Sequence, residues 1–399
     1  MADPSVLKTP ASPPAPWVIV CGGFNPHGGM DKANLALAEY LLVERRAEVH
    51  LVGHEIDAVL GALPGARSYP VPRPRGLVAV AEGLLDRRGR IVARAVVAAD
   101  PHARVVVNGG NCAWDDINWV HYVHHAWEPE DRGAPLLVRL NNRRLARLAR
   151  RHEQLRVPPA RIVVSNSQLT TRQLVETVGV DPTRVHTLYL GADSTWGPPS
   201  DAEIEAGRRQ FGSGAGRPII VFLGALGYDD RKGFDTLLTA WERLCAREDW
   251  DADLVAAGGG RGVERWRAEV RRRGLEARVR LAGFVRDVPG LLAAADLLVS
   301  PVRYEPYGLN VQEALCRGVP ALVSASAGIA ERYPPEAGDL ILRNPDDPAE
   351  LSDRLLHWHS NRERWQTIVA PMGERLRARS WREMARDFVE LVDADREAA

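Results

Sequence analysis

Short apolar runs, each ended by a glycine turn or followed by a helical pattern, recur along the whole chain of 399 residues. The first run covers 17–21 and stops at Gly22 and Gly23, and leucines and alanines at helical spacing then predict a helix over 31–45. Continuous apolar strands that alternate with helices are typical of parallel sheets buried on both faces. This alternation therefore predicts an α/β protein.

The alternation of strands and helices begins a second time near the middle of the chain. Residues 196–218 carry proline, glycine and charged residues, and they interrupt the pattern. The predicted strands are 48–52, 104–107, 119–123, 161–164 and 185–189 before this boundary, and 219–223, 252–257, 279–282, 297–300 and 321–324 after it. This repetition predicts two doubly wound domains in series, and the ligand crevice of such sheets lies at the carboxyl ends of their strands.

The length of the chain supports two domains, because a single hydrophobic core stops growing at about 250–300 residues. We predict an N-terminal tail over 1–16, a first Rossmann-like domain over 17–195, a second over 196–378 and a C-terminal segment over 379–399. An amphipathic helix over 380–395 must bury its apolar face, either back on the first domain or on the second.

The composition excludes several classes of protein. Lys and Arg together number 52, as do Asp and Glu, so no net field draws nucleic acid or an acidic membrane to the whole molecule. No apolar run reaches the roughly 20 residues needed to cross a bilayer, and the first 16 residues lack the apolar core of a secretory signal. The four cysteines stand apart without metal-ligand spacing, which favours buried thiols and a reducing compartment. We expect a soluble, cytoplasmic protein with local anion sites only.

The most specific segment is 305–313, Glu-Pro-Tyr-Gly-Leu-Asn-Val-Gln-Glu, which connects a predicted strand to a predicted helix over 311–317. Unsatisfied backbone N–H groups after Gly308, and the positive end of the helix dipole, suit a diphosphate. The carboxylates of Glu305 and Glu313 can accept hydrogen bonds from the vicinal hydroxyls of a sugar and of a ribose. The segment therefore predicts a site for a nucleotide-linked sugar.

A second strand, loop and helix start lies at 223–234 and carries the adjacent cations Arg231 and Lys232. In an enzyme that uses a nucleotide sugar, these cations would neutralise the departing diphosphate. Taken alone, adjacent basic residues on a loop are more simply interpreted as solvated. We interpret the aspartate pairs at 115–116 and 229–230 as solvated or capping carboxylates rather than metal ligands.

These segments resemble glycosyltransferase family 4, whose signature is a pair of glutamates placed as Glu305 and Glu313 are. The resemblance extends to 161–193, 281–285 and 324–331, and it covers nearly the whole chain. It implies the GT-B fold, in which two doubly wound Rossmann-like domains face a cleft. It also implies a transferase that moves a sugar from a nucleotide-sugar donor to an acceptor with retention of anomeric configuration.

The resemblance implies a role for each residue that matches the family's pattern. Lys232 stands where the family has a basic residue, whereas Ala225 stands where it usually has an arginine, so Arg231 is the candidate substitute. The residues that we assign to catalysis are His124, Arg231, Lys232 and Glu305, and those that we assign to donor binding are Gly28, Gly29, Gly224, Phe284, Val285, Tyr307, Gly308, Leu309, Asn310 and Glu313.

Some of these assignments come from the resemblance more than from the residues themselves. His124, at the end of a predicted strand, aligns with a histidine that orients the donor sugar. Phe284 and Val285 match a turn that contacts the nucleobase. The glycine pair at 28–29 matches one that approaches the donor phosphates across the cleft, although a purely structural turn would use the same residues.

The three histidines His121, His124 and His125 could instead be metal ligands. No carboxylate or cysteine stands beside them at ligand spacing, so we predict no metal site and no cofactor. Two cations and a helix dipole would take the place of a divalent ion at the diphosphate.

The stretch 139–156 is rich in arginine and carries a thin stripe of Leu145, Leu148 and Leu155. We interpret it as a solvated surface helix whose leucines lie in the core. The alternative, which some relatives of the family use, is contact with a membrane or a phosphorylated acceptor.

The acceptor is the least determined partner, because the resemblance is poorest at 69–98 and 111–156, where the first domain's loops lie. A small metabolite, an antibiotic precursor, a lipid and a glycan all stay open, as do a monomer and a homodimer. The favoured donor nucleotide is UDP, and GDP is the alternative. Two rival functions are a nucleotide-sugar 2-epimerase of the same fold and a non-catalytic nucleotide-sugar-binding protein.

Overall fold

Two parallel sheets, each with the strand order of a doubly wound fold, organise the chain. The computed structural model describes residues 14–26, 28–131, 133–212, 214 and 216–398. Most of the predicted tail over 1–16 therefore lies outside the described residues.

The strands and helices are numbered in chain order. The strands are β1 Trp17–Val20, β2 Gly23–Phe24, β3 Val49–Gly53, β4 Glu55–Ile56, β5 Ala66–Pro70, β6 Arg104–Val107, β7 Ile117–Val120, β8 Ile162–Ser165, β9 Val185–Thr187, β10 Ile219–Leu223, β11 Asp253–Ala257, β12 Val279–Gly283, β13 Leu297–Ser300, β14 Ala321–Ser324 and β15 Ile341–Leu342. The α-helices are α1 Gly29–Val43, α2 Ala58–Gly61, α3 Val78–Ala99, α4 Leu136–Arg156, α5 Gln168–Gln173, α6 Asp201–Phe211, α7 Phe234–Cys245, α8 Val263–Arg272, α9 Val288–Ala294, α10 Leu309–Cys316, α11 Pro348–Ser360, α12 Arg362–Arg377 and α13 Trp381–Ala398.

Contacts between residues divide the chain into two units. The first unit contains residues up to 119, 154–164 and those from 385 onward, and the second contains 120–153 and 165–384. The domain boundaries predicted from the sequence stay predictions.

In the first unit the strands lie in the order β5-β3-β1-β6-β7-β8. Valines of β1 and β6, fully buried in the sheet, pack with Leu85 and Val92 of α3. The predicted C-terminal amphipathic helix is α13, and its Phe388 is buried with its ring centroid 4.7 Å from that of Trp119. An ion pair between Arg104 and Asp393 also holds α13 in this unit.

In the second unit the strands lie in the order β12-β11-β10-β13-β14-β15 and all pairs are parallel. Strands β10 and β13 are neighbours in the sheet, with Ile220 opposite Leu297 and Val221 opposite Leu298. The chain leaves β10 toward one edge of the sheet and leaves β13 toward the other. The boundary between these two strands is therefore the topological switch point of the second unit, where doubly wound sheets bind their ligands.

Aromatic side chains fix the helices that follow β10. The ring centroids of Phe222 and Phe234 lie 5.0 Å apart, and those of Phe234 and Trp266 lie 5.2 Å apart in an edge-to-face pair. Phe234 is the first residue of α7, so this packing sets where the loop between β10 and α7 must end.

The structure corrects two predictions about the elements and adds the strand β5, which the sequence did not predict. The strand predicted over 119–123 is β7, which ends at Val120, so His124 lies in a turn of 3-10 helix rather than at a strand end. Strand β5 was not predicted, because four of its five residues carry polar side chains, small side chains or proline and only two are even half-buried. In α4 the predicted leucine stripe is not in the core: Leu145 and Leu148 are half-buried and Leu155 is exposed.

Helix α4 also carries three exposed leucines near its start, Leu136, Leu137 and Leu140. Among the described residues, no helix combines the length and the apolar character needed to cross a membrane.

Candidate functional site

The loops after β10 and β13 meet at the switch point of the second unit. The first loop carries Arg231 and Lys232, and the second carries Glu305. The Lys232 ammonium forms a salt bridge with the Glu305 carboxylate, and a guanidinium nitrogen of Arg231 lies 3.9 Å from the same carboxylate oxygen. The structure thus brings together three of the four residues assigned to catalysis, although Glu305 stands 73 residues beyond Lys232.

The three charges share one partly enclosed environment, since each side chain is between 17% and 19% exposed. Burial alone would raise the pKa of Glu305, but the positive charges of Lys232 and Arg231 outweigh it and lower that pKa below its ordinary value. Burial likewise opposes the charge on Arg231, yet Glu305 and its other neighbours raise the Arg231 pKa. Both shifts favour the charged forms of Glu305 and Arg231, and the anion that balances the two cations is the protein's own carboxylate.

Gly308 lies at the start of α10 with φ of 110° and ψ of 56°. A Cβ atom at this position would lie 2.8 Å from Cγ2 of Ile329, so both the backbone conformation and the space require glycine. The first hydrogen bonds of the helix run to the Gly308 carbonyl from the N–H groups of Val311 and Gln312. The N–H groups of Leu309 and Asn310 precede those bonds, in the position from which helices bind anions.

Asn310 links the two loops directly. Its side-chain amide donates a 2.8 Å hydrogen bond to the carbonyl of Leu223, the last residue of β10. The next residue, Gly224, lies beneath the Lys232 side chain, because a Cβ atom on Gly224 would be 3.6 Å from Cγ and Cδ of that lysine. Gly224, Lys232 and Asn310 are therefore grouped at one end of β10.

Two tyrosines that sequence reasoning did not assign complete this region. The Arg231 guanidinium lies 5.4 Å from the ring centroid of Tyr122, and the Tyr122 ring is in edge-to-face contact with that of Tyr304. The Tyr304 hydroxyl accepts a 3.0 Å hydrogen bond from the Val123 N–H. Its position directly before Glu305 is the one sequence feature that could have placed Tyr304 in the site. Nothing in the sequence places Tyr122 near Arg231.

His124 joins the same group through Tyr122, since the two ring centroids lie 4.8 Å apart. The carboxylate of Glu153, which is 1% exposed, accepts hydrogen bonds from the N–H groups of His124 and His125 at 2.8 and 3.0 Å. Burial lowers the pKa of His124 below its ordinary value, so its imidazole is neutral at pH 7. A neutral imidazole can orient a hydroxyl group by hydrogen bonding, in keeping with the role assigned to it.

The other residues assigned to donor binding lie at several places. Phe284 follows β12 at the same sheet edge and is 71% exposed, with Val285 half-buried beside it. Tyr307 is buried, and its hydroxyl donates a hydrogen bond to the side chain of Gln312. Only the backbone of Tyr307 is therefore available to contact a nucleotide sugar. Glu313 lies half-buried in the second turn of α10. Gly28 and Gly29 lie in the first unit at the start of α1.

Asp230 corrects the interpretation of the 229–230 pair as solvated. Its side chain is 5% exposed, its φ is 45°, and its Oδ1 lies 3.4 Å from a guanidinium nitrogen of Arg265. Its Oδ2 is buried without a hydrogen-bond partner among the described residues, and burial raises the pKa of Asp230 to about 6. The residues that the structure describes contain no group of three or more His, Cys, Asp or Glu side chains placed to hold a metal ion.

The sequence of the chain is similar to those of known glycosyltransferases. Residues 217–361, which contain both loops of the switch point, match the family described as glycosyl transferases group 1. The chain is similar to mannosylfructose-phosphate synthase of Agrobacterium fabrum, with 28% identity over 258 residues that cover 61% of this chain and 55% of that protein. The chain spans about half the length of the curated relatives that it matches.

Solved structures agree with the fold over almost the whole chain. Sucrose-phosphate synthase from Thermosynechococcus elongatus has a TM-score of 0.75 at 19% identity, covering 97% of this chain and 100% of that one. The Anabaena protein HepE in complex with UDP-glucose has a TM-score of 0.67 at 18% identity, covering 95% and 99%. These structural likenesses confirm the predicted fold of two doubly wound domains. The family match over 217–361 and the curated relatives support the resemblance to glycosyltransferase family 4.

Proposed function

We propose that this chain, whose residues 217–361 match the group 1 glycosyl transferases, transfers a sugar from a nucleotide diphosphate sugar to an acceptor. The observation that carries the proposal is the grouping of Arg231, Lys232 and Glu305 at the switch point, next to the start of α10. Cations and free helix N–H groups suit a diphosphate, and a carboxylate suits sugar hydroxyls.

The proposed reaction breaks the bond between the anomeric carbon and the diphosphate oxygen, and the diphosphate leaves with the bonding electrons. An acceptor hydroxyl attacks the anomeric carbon from the same face, and its proton passes to the departing diphosphate, so the configuration is retained. Arg231, Lys232 and the α10 N–H groups stabilise the charge that develops on the diphosphate, which is the main catalytic contribution. Glu305 and neutral His124 orient the sugar ring.

The proposed donor nucleotide is UDP, with GDP as the alternative. The Anabaena neighbour was solved with UDP-glucose, and the exposed Phe284 offers a face on which a base can stack. Independence from metal ions, the cytoplasmic location and the roles of Gly28, Gly29 and Glu313 remain part of the proposal. Arg231 is proposed to replace the family arginine that is absent at Ala225.

The proposal is tested by binding and turnover of a panel of UDP, GDP, ADP and TDP sugars in the presence of EDTA. One donor should raise the melting temperature and be hydrolysed slowly without acceptor. Lys232→Ala should bind that donor more weakly and lose about 100-fold in turnover, as expected when one group that stabilises the transition state is removed. Glu313→Gln should weaken donor binding with a smaller effect on turnover.

The outcomes separate the rival functions. A donor that binds and is converted to a free epimeric sugar would favour a 2-epimerase, and a donor that binds without turnover on any acceptor would favour a binding protein. The transferase proposal fails if no nucleotide sugar binds.

A further inference from the structure

Arg303 belongs to the loop after β13 and binds the backbone of the loop after β10. It follows β13 by three residues and precedes Glu305 by two, and its side chain is only 12% exposed. Its backbone N–H donates a 2.8 Å hydrogen bond to the carbonyl of Arg231, and its guanidinium donates to the carbonyl of Asp230. Two successive carbonyls of the loop that carries the cations are thus bound by one residue of the loop that carries the carboxylate.

The guanidinium of Arg303 is itself held from three sides. It forms a two-pronged pair with Asp235 in the first turn of α7, with both N–O distances at 2.8 Å. Its Nε donates to Asp346 at 2.7 Å, and it also donates to the Thr236 hydroxyl at 3.2 Å. A planar guanidinium can make these bonds together, whereas an ammonium cannot.

The loop between β10 and α7 has residues at positive φ, a conformation that contacts from outside the loop must stabilise. Asp230 has φ of 45° and Gly233 has φ of 67°. A Cβ atom on Gly233 would lie 1.8 Å from the Pro301 carbonyl, so this turn is pressed against the strand end that leads to Arg303. Non-glycine residues at positive φ persist only where the surroundings fix them, and the bond from Arg303 to the Asp230 carbonyl does so.

We propose that Arg303 is a positioning residue of the donor site, which sets Arg231 and Lys232 at the distance from Glu305 at which the three can hold a nucleotide diphosphate sugar. This inference rests on the proposed function. It assigns to Arg303 no contact with the substrate, because its guanidinium is already occupied by Asp230, Asp235 and Asp346. Its effect on catalysis passes through the two cations.

The test is a double-mutant cycle between Arg303→Met and Lys232→Ala, read as kcat and KM for the donor. If Arg303 acts through Lys232, the loss of about 100-fold in kcat caused by Lys232→Ala in the parent shrinks to less than about 10-fold in Arg303→Met. The matched control is Arg273→Met. Arg273, which follows α8, is 15% exposed and pairs with Glu242 of α7, the helix that also carries Asp235. Within the described part of the chain it bonds neither loop of the site, so Lys232→Ala should keep its full effect in that background.

Arg303→Lys keeps the positive charge and provides a second test if Arg303→Met does not fold. It should lower kcat, because lysine cannot bind the Asp230 carbonyl and both aspartates at once, and its melting temperature should fall less than that of Arg303→Met, because the positive charge beside the aspartates is kept. An equal effect of Lys232→Ala in parent and Arg303→Met, or parental kcat in Arg303→Lys, would overturn the inference. A parent that neither binds nor turns over a donor would instead overturn the proposed function.

Discussion

Glu305→Gln removes the anion that balances Lys232 and Arg231 while keeping the shape of the side chain. Breaking a buried ion pair by removing one partner costs about 3–5 kcal/mol, and the three side chains here keep nearly a fifth of their surface exposed. We therefore expect the free protein to lose about 2 kcal/mol of stability. For a unit of this size, that loss lowers the melting temperature by about 4–8 °C.

The same substitution should strengthen the binding of UDP. A diphosphate supplies the missing anion, so most of the 2 kcal/mol lost in the free protein is regained in the complex. By linkage, UDP should bind up to about 30-fold more tightly to Glu305→Gln than to the parent. Turnover of the nucleotide sugar should fall nonetheless, because the carboxylate proposed to hold the sugar hydroxyls is lost.

Titration calorimetry with UDP and thermal melts with and without UDP measure both effects. Glu264→Gln is the control, since it breaks a surface pair with Arg267 in the same unit and should change neither quantity by more than about 0.5 kcal/mol. The stability difference between parent and Glu305→Gln should narrow as the pH falls through the lowered pKa of Glu305. Equal or weaker UDP binding by Glu305→Gln would refute the view that Glu305 competes with the diphosphate.

Three further predictions concern stability and are measured by urea unfolding. Gly308→Ala should cost about 1–3 kcal/mol, because alanine is strained at φ of 110° and its Cβ would contact Ile329; parental stability would contradict this. Asp230→Asn should be more stable than the parent by about 2–3 kcal/mol at pH 7.5, since the raised pKa of Asp230, about 6, means that the folded parent loses stability as pH rises from about 4 to 6; a difference that does not vary with pH would refute it. Glu331→Ala should cost about 1 kcal/mol, because the Glu331 carboxylate accepts hydrogen bonds from the N–H groups of Gln168 and Leu169 at the start of α5; unchanged stability would argue against this cap.

The inner strands of the second unit's sheet could be predicted from the sequence because they are buried on both faces. Strands β10, β13 and β14 have the predicted bounds, and every residue of β13 and β14 is buried. Strand β5 could not be found in this way, because it lies at the edge of its sheet with most side chains exposed. The prediction that the leucines of α4 lie in the core was wrong for a different reason. Helical spacing shows that apolar residues share a face of the helix, but it does not show that another element covers that face.

The strand pattern also placed Glu305, Arg231 and Lys232 at the same sheet edge, because the carboxyl ends of neighbouring parallel strands meet there. It did not predict that they would pair. The contacts of Arg303 and the burial of Asp230 could not be predicted, since a charged residue on a loop is usually solvated and only the fold shows which charges are enclosed.

A site that is built to hold a diphosphate creates an electrostatic problem of its own before the ligand arrives. Two cations that lie side by side and are largely shielded from water destabilise the free protein unless an anion is near. Glu305 supplies that anion and, by the proposed mechanism, must change partners when the donor binds, from the two cations to the sugar. The same carboxylate would then stabilise the empty site and orient the substrate. A motif that places an acid opposite a pair of cations therefore predicts a competition between that acid and the ligand, which the Glu305→Gln variant measures directly.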